Sequence, residues 1–147
     1  MAPQLDCAVD FIGNYRILCP IGEGGMGRVF LAERTEIGGR VALKVLHADF
    51  AEDAEIAARF LNEARASNTI EHPGVVKVYE YGQLADGGAF IAMEFIEGQS
   101  LRQRLTDTQK PPIEPSLRIA RQMAAAQAAA HAKNIVNRGF SKCCNWR

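Results

Sequence analysis

The 147-residue sequence has no excess of either charge, because seventeen lysines and arginines balance seventeen aspartates and glutamates. Without a net field, nucleic acid and anionic membranes are not attracted by charge alone, so neither is an expected partner and any ligand must be held by a local arrangement. No apolar run approaches the roughly 20 residues needed to span a bilayer. The start, MAPQLDCAVDFIGNYR, lacks the basic and apolar regions of a secretion signal. The expected location is therefore cytoplasmic. Cysteines are few: Cys7, Cys19, Cys143 and Cys144 form no C-x-x-C pair and are expected to be free thiols. His47, His72 and His131 are scattered, which gives no support for a histidine metal site, and His131 reads as a helix-surface residue. No internal repeat is present.

What is there suits one globular domain, with 48% apolar and 23% charged residues. Residues 1–14 carry no clear period and read as a flexible leader. A short apolar stretch, Tyr15 to Ile21, runs into the glycine cluster Gly22-Glu23-Gly24-Gly25-Met26-Gly27, and Arg28 to Glu33 follows as a second strand. Gly38-Gly39 marks another turn before Arg40 to Leu46, a third strand. From Glu52 to Thr69 the period becomes helical, with Ile56, Phe60, Glu63, Ser67 and Ile70 on one face. Pro73-Gly74 ends that element. Val75 to Tyr81 and Ala89 to Phe95 read as two more strands joined through Ala85-Asp86-Gly87-Gly88. After Gly98 come a short helix, Ser100 to Leu105, a break at Pro111-Pro112, and a long alanine-rich helix from Pro115 to Lys133.

G-x-G-x-x-G alone is a weak signal that context must decide. A dinucleotide fingerprint needs its third glycine to open a helix, whereas Gly27 leads into another strand. A glycine-rich hairpin can instead fold over phosphates, because its backbone N–H groups approach closely where no Cβ intervenes. On the third strand, Ala42 and Lys44 share one face, and Val41, Leu43 and Val45 share the other. Taken by itself, Lys44 reads as a lysine snorkelling at a sheet edge. Glu63, however, lies on the helical face that should turn to the sheet, where a carboxylate needs a cation. Lys44 is the natural candidate. The competing partner is Arg59, one turn earlier, in a surface pair of little consequence.

GEGGMGRV, then VALK, then a helical glutamate, then IAMEFIEG, in that order, resembles the small lobe of bacterial serine/threonine protein kinases over about residues 15–136. The resemblance implies an α+β fold: a five-stranded antiparallel sheet with one helix, followed by two helices of an incomplete large lobe. It implies that Gly22, Gly24, Gly27 and Val29 form a loop over ATP, that Lys44 holds the α- and β-phosphates, and that Glu63 pairs with Lys44. Ile21, Glu23, Gly25, Met26, Arg28 and Ala42 complete the implied ATP-binding set. Met93 corresponds to the gatekeeper, with the backbone of Glu94 and Ile96 meeting adenine. The implied activity is transfer of the ATP γ-phosphoryl group to protein serine or threonine, with magnesium.

The family continues with H-R-D-x-x-x-x-N, whose Asp is the catalytic base and whose Asn holds magnesium. Here the run is Asn137-Arg138-Gly139-Phe140-Ser141-Lys142-Cys143-Cys144, in which Arg138 alone matches. Gly139 occupies the Asp position, Cys144 the Asn position, and Asn145 is one residue out of register. No D-F-G follows, and Asp49-Phe50-Ala51 reads as ordinary loop. Residues 137–147 are thus expected to be a divergent tail on a truncated domain, with no catalytic residue and no metal ligand in this chain. Such a chain is expected to be inactive alone and to bind ATP weakly. The alternatives are a reading-frame change in the gene or a short pseudokinase serving a protein partner. The apolar positions of helix 115–133, among them Leu117, Ile119 and Met123, point to self-association or a partner.

Overall fold

Alternating strand residues and glycine turns build one antiparallel sheet within residues 11–94, seen in a computed structural model that describes residues 11–24, 27–46, 48–107 and 112–136. The single domain expected from length is made of two compact units. The first takes the described residues of Met1–Arg65 and Lys77–Phe95, and the second those of Ala66–Val76 and Ile96–Arg147.

The sheet of the first unit contains β1 (Phe11–Ile12), β2 (Tyr15–Gly24), β3 (Gly27–Arg34), β4 (Arg40–Leu46), β5 (Val78–Gln83) and β6 (Ala89–Glu94). Its order is β1-β2-β3-β4-β6-β5, antiparallel throughout. The five expected strands are all present, and β1 is an addition. Phe11 and Ile12 pair with Arg16 and Tyr15 across a turn in which Gly13 has φ 56°. β1 thus lies inside the segment read as a leader, whose residues 1–10 lie outside the described residues. Beyond Arg16, β2 has no partner on its β1 side among the described residues, and there it accommodates Pro20 and two register shifts.

Alternation sends successive side chains of β4 and β6 into two cores. Val41 and Leu43 join Tyr15, Ala32, Phe90 and Ala92, while Leu46 joins Phe60, Ala64, Ala89 and Ile91. The rings of Tyr15 and Phe90 lie edge to face with centroids 5.9 Å apart. Their strands are three positions apart in the sheet, a separation of roughly 14 Å if it were flat. Strong twist and curl bring them together. Gly82 pairs with Phe90, and a Cβ there would stand 2.3 Å from the Phe90 ring.

Two helices serve the second core. α1 (Ala48–Ala51) is a single turn, and α2 (Ala54–Thr69) follows it. Asp53 caps α2, its Oδ1 accepting the N–H groups of Glu55 at 2.9 Å and Ile56 at 3.2 Å. The segment Asp49-Phe50-Ala51, read from sequence as loop, is the helical turn of α1, and Phe50 packs against the second core. β5 starts at Val78 instead of Val75, because the Pro73-Gly74 turn is extended by hydrogen bonds from Val75 N–H to the His72 carbonyl and from Gly74 N–H to His72 Nδ1.

In the second unit, α3 (Leu101–Asp107) is capped by the Ser100 hydroxyl, and α4 (Ile113–Ala132) buries Ala126 and Ala130. α4 starts two residues before the expected Pro115, which sits within the first turn, where a missing N–H is tolerated. Cys19 is a free, exposed thiol. Among the described residues no helix is long and apolar enough to cross a membrane.

Candidate functional site

The β2–β3 hairpin pairs Gly22 with Val29, Glu23 with Arg28, and Gly24 with Gly27. Gly25 and Met26, expected at its tip, lie outside the described residues. The Glu23 carboxylate and the Arg28 guanidinium stand 3.5 Å apart across the strands. Two of the glycines have different reasons to lack a side chain. A Cβ on Gly27 would sit 1.9 Å from the Val45 carbonyl oxygen, so this residue is needed for β3 to approach β4. Among the described residues a Cβ on Gly22 would meet only the Val29 Cβ, at 3.9 Å, so their packing does not require glycine there. What remains at Gly22 is an uncovered backbone of the kind that lets an anion come close.

Register carries this hairpin to the cation. Val29 pairs with Lys44, Lys44 with Ile91, and Ala42 with Met93, so these side chains share one face of the sheet. Helix α2 packs its Phe60 and Ala64 into the core on that face. Lys44 Nζ lies 3.0 Å from Glu63 Oε1 and 2.9 Å from Oε2, with the lysine side chain only 12% exposed. The expected pair is thus formed, and Arg59 is not needed to explain Glu63. The same ammonium stands 5.4 Å from the centroid of the Phe60 ring. Sequence reasoning placed Phe60 on the inward face but gave it no part in the site.

Further along β6, Glu94 pairs with Val41, and its N–H donates to the Lys77 carbonyl at 2.8 Å. That amide hydrogen is therefore engaged within the protein. Ile21 is 46% exposed at the base of the hairpin. Ile96 belongs to the second unit. Gly139 and Cys144, expected from sequence at the positions of the catalytic Asp and the metal-binding Asn, lie outside the described residues.

A glycine hairpin, a half-buried lysine held by a helical carboxylate and a curled antiparallel sheet together define a protein-kinase-like small lobe. Comparison with known proteins agrees. The protein kinase domain model matches residues 15–140. The serine/threonine-protein kinase pkn2 of Myxococcus xanthus is 44% identical over 126 residues, covering 86% of this chain and 15% of that protein. PrkC of Bacillus subtilis is 39% identical over 128 residues, covering 86% of this chain and 19% of that protein. A crystal structure of the Mycobacterium tuberculosis PknI kinase domain superposes with a TM-score of 0.71 at 28% identity, covering 88% of this chain and 53% of that one. The chain belongs to the protein kinase family, as a partial kinase domain related to bacterial serine/threonine kinases. It spans less than a fifth of the length of these two curated relatives.

Proposed function

We propose that this chain is the ATP-binding part of a serine/threonine protein kinase domain and that, alone, it binds nucleotide weakly and transfers no phosphoryl group. The observation that carries the reading is the two-point hold of Glu63 on Lys44, on the sheet face to which Val29 of the glycine hairpin also points. When bound, ATP supplies the γ-phosphoryl group that the family transfers to a protein hydroxyl. Gly22, Gly24 and Gly27, with Glu23, Gly25, Met26 and Arg28 around them, cover the phosphates with backbone N–H groups, and Lys44 presents its ammonium to the α- and β-phosphates. Ile21, Val29, Ala42 and Met93 give the adenine an apolar seat, and the backbone of Glu94 orients it. The Glu94 N–H is itself bound to the Lys77 carbonyl.

Gly139 has no base with which to accept a hydroxyl proton, and Cys144 is a poor ligand for magnesium, a hard cation that prefers oxygen. The loss of a general base alone costs about 10²- to 10⁴-fold in rate. A cytoplasmic location belongs to the same reading.

A second reading, a pseudokinase or interaction module, is favoured by one specific feature. Ile113 and Leu117 on α4 are 79% and 65% exposed, beside an apolar groove of about 240 Å³ lined by Leu101, Leu105, Ile119 and Met123.

Thermal unfolding with and without ATP, run beside a radiolabelled transfer assay on a generic serine/threonine substrate, tests the proposal. A small ATP-dependent rise in Tm with no label transferred is expected. No rise at millimolar ATP would remove the nucleotide reading. Transfer that tracks the purified chain would show that residues 137–147 hold a base.

A further inference from the structure

We infer that Phe60 is a positioning residue for Lys44, seating the ammonium on the face of its ring while Glu63 holds it from the carboxylate side. Phe60 is fully buried, and its ring centroid lies 5.4 Å from Lys44 Nζ, inside the distance of about 6 Å at which a cation feels the negative ring face. The ring does not float: it packs at a tilt against Tyr81, with centroids 6.5 Å apart, in the core that also holds Leu46 and Ile91. Phe60 and Glu63 are three residues apart on α2, so one helix face delivers both groups to the same ammonium. Nearly all of the lysine side chain is removed from water, its exposure being 12%. Attraction by the quadrupole is stronger at such a desolvated site than at an open surface. A carboxylate alone leaves the flexible four-carbon stem free to pivot around it. A second contact from another direction restricts that pivot, so the cation is aimed before any phosphate arrives.

The consequence for nucleotide rests on the function proposed above, but the contact itself does not, and the test separates them. Lys44 ε-methylene resonances and their order parameters are measured by NMR on the whole chain without ligand, for the wild type, Phe60→Tyr and Phe60→Leu. ATP affinity is measured on the same samples. In the wild type the ε-protons are expected upfield of their ordinary position, because they lie over a ring. Phe60→Tyr should keep that shift and the low mobility, while Phe60→Leu should lose both and weaken ATP binding about two- to fivefold. If Phe60→Leu does not fold, the wild-type shift and the Phe60→Tyr rescue still decide. Unshifted ε-protons in the folded wild type would overturn the inference, as would a folded Phe60→Leu whose Lys44 mobility and ATP affinity are unchanged. A shifted and ordered Lys44 in a protein that binds no ATP would uphold the positioning and sink the nucleotide reading instead.

Discussion

Tyr15 on β2 donates its hydroxyl hydrogen to the carboxylate of Glu80 on β5, although four steps of the sheet separate the two strands. In a flat sheet that is roughly 19 Å. The bond therefore fastens the curl by which the sheet covers its own apolar face, where Tyr15, Leu43, Ala32 and Phe90 are buried.

Burial and then the Glu80 hydrogen bond and charge raise the Tyr15 pKa above its ordinary 10.0, against a smaller lowering by Arg34. A raised pKa in the folded state means that the phenol's contribution is complete below pH 10 and is lost as pH rises through the folded value. Unfolding curves from pH 8 to 12 should show the wild type losing stability above pH 10 more steeply than Tyr15→Phe. At pH 8 that substitution should cost about 1 kcal/mol, for one hydrogen bond. Parallel curves above pH 10 would contradict the assignment.

The two glycines that frame the hairpin should separate experimentally. Gly27→Ala forces a methyl group against the Val45 carbonyl and is expected to destabilise the unliganded chain by about 2 kcal/mol or more. Gly22→Ala, with open space around its Cβ, should change unliganded stability by well under 1 kcal/mol while still reducing ATP affinity. Urea unfolding of both variants checks this, and equal losses would refute the distinction.

Glu63→Gln keeps the shape of the side chain and removes its charge. The Lys44 ammonium then loses its only carboxylate contact within 4.0 Å among the described residues. For a pair intermediate between exposed and buried, a stability loss of about 1–2 kcal/mol is expected. Because Lys44 is shielded from solvent, that loss should persist at high ionic strength. Denaturant unfolding at 0.1 M and 1 M salt measures it, and a loss that vanishes in salt would mark the pair as superficial.

Exposed Ile113 and Leu117 on α4 predict concentration-dependent association. Sedimentation velocity should show species larger than the monomer at high concentration, and the double substitution Ile113→Lys, Leu117→Lys should return the chain towards monomer. A wild type that is monomeric throughout would remove this face as an association surface.

The sequence already showed why Lys44 and Glu63 meet, because strand alternation and helical spacing each turn one residue inward, and the two facing elements leave the carboxylate one natural partner. It also showed the glycine hairpin and the succession of the main strands along the chain. Other features needed three dimensions. β1 has two residues, too few to display a period, and only its pairing with Tyr15 and Arg16 reveals it. The late start of β5 depends on the His72 ring accepting the Gly74 N–H, a local bond that competes with strand pairing. Phe60 looked like any core aromatic, since nothing in its spacing says that a lysine from β4 ends above its ring. Gly27 is glycine because of Val45, a residue distant in sequence, whereas its motif suggested only the ligand.

Lys44, held by Glu63, is proposed as the phosphate-gripping cation of this chain. Titration calorimetry of ATP into the wild type and Lys44→Met, each with magnesium and with chelator, tests it most directly. Wild-type binding is expected to be weak, to change little with magnesium and to fall at least tenfold in Lys44→Met, where a neutral side chain of similar length leaves the phosphates uncompensated. Equal ATP affinity in the two proteins would contradict it.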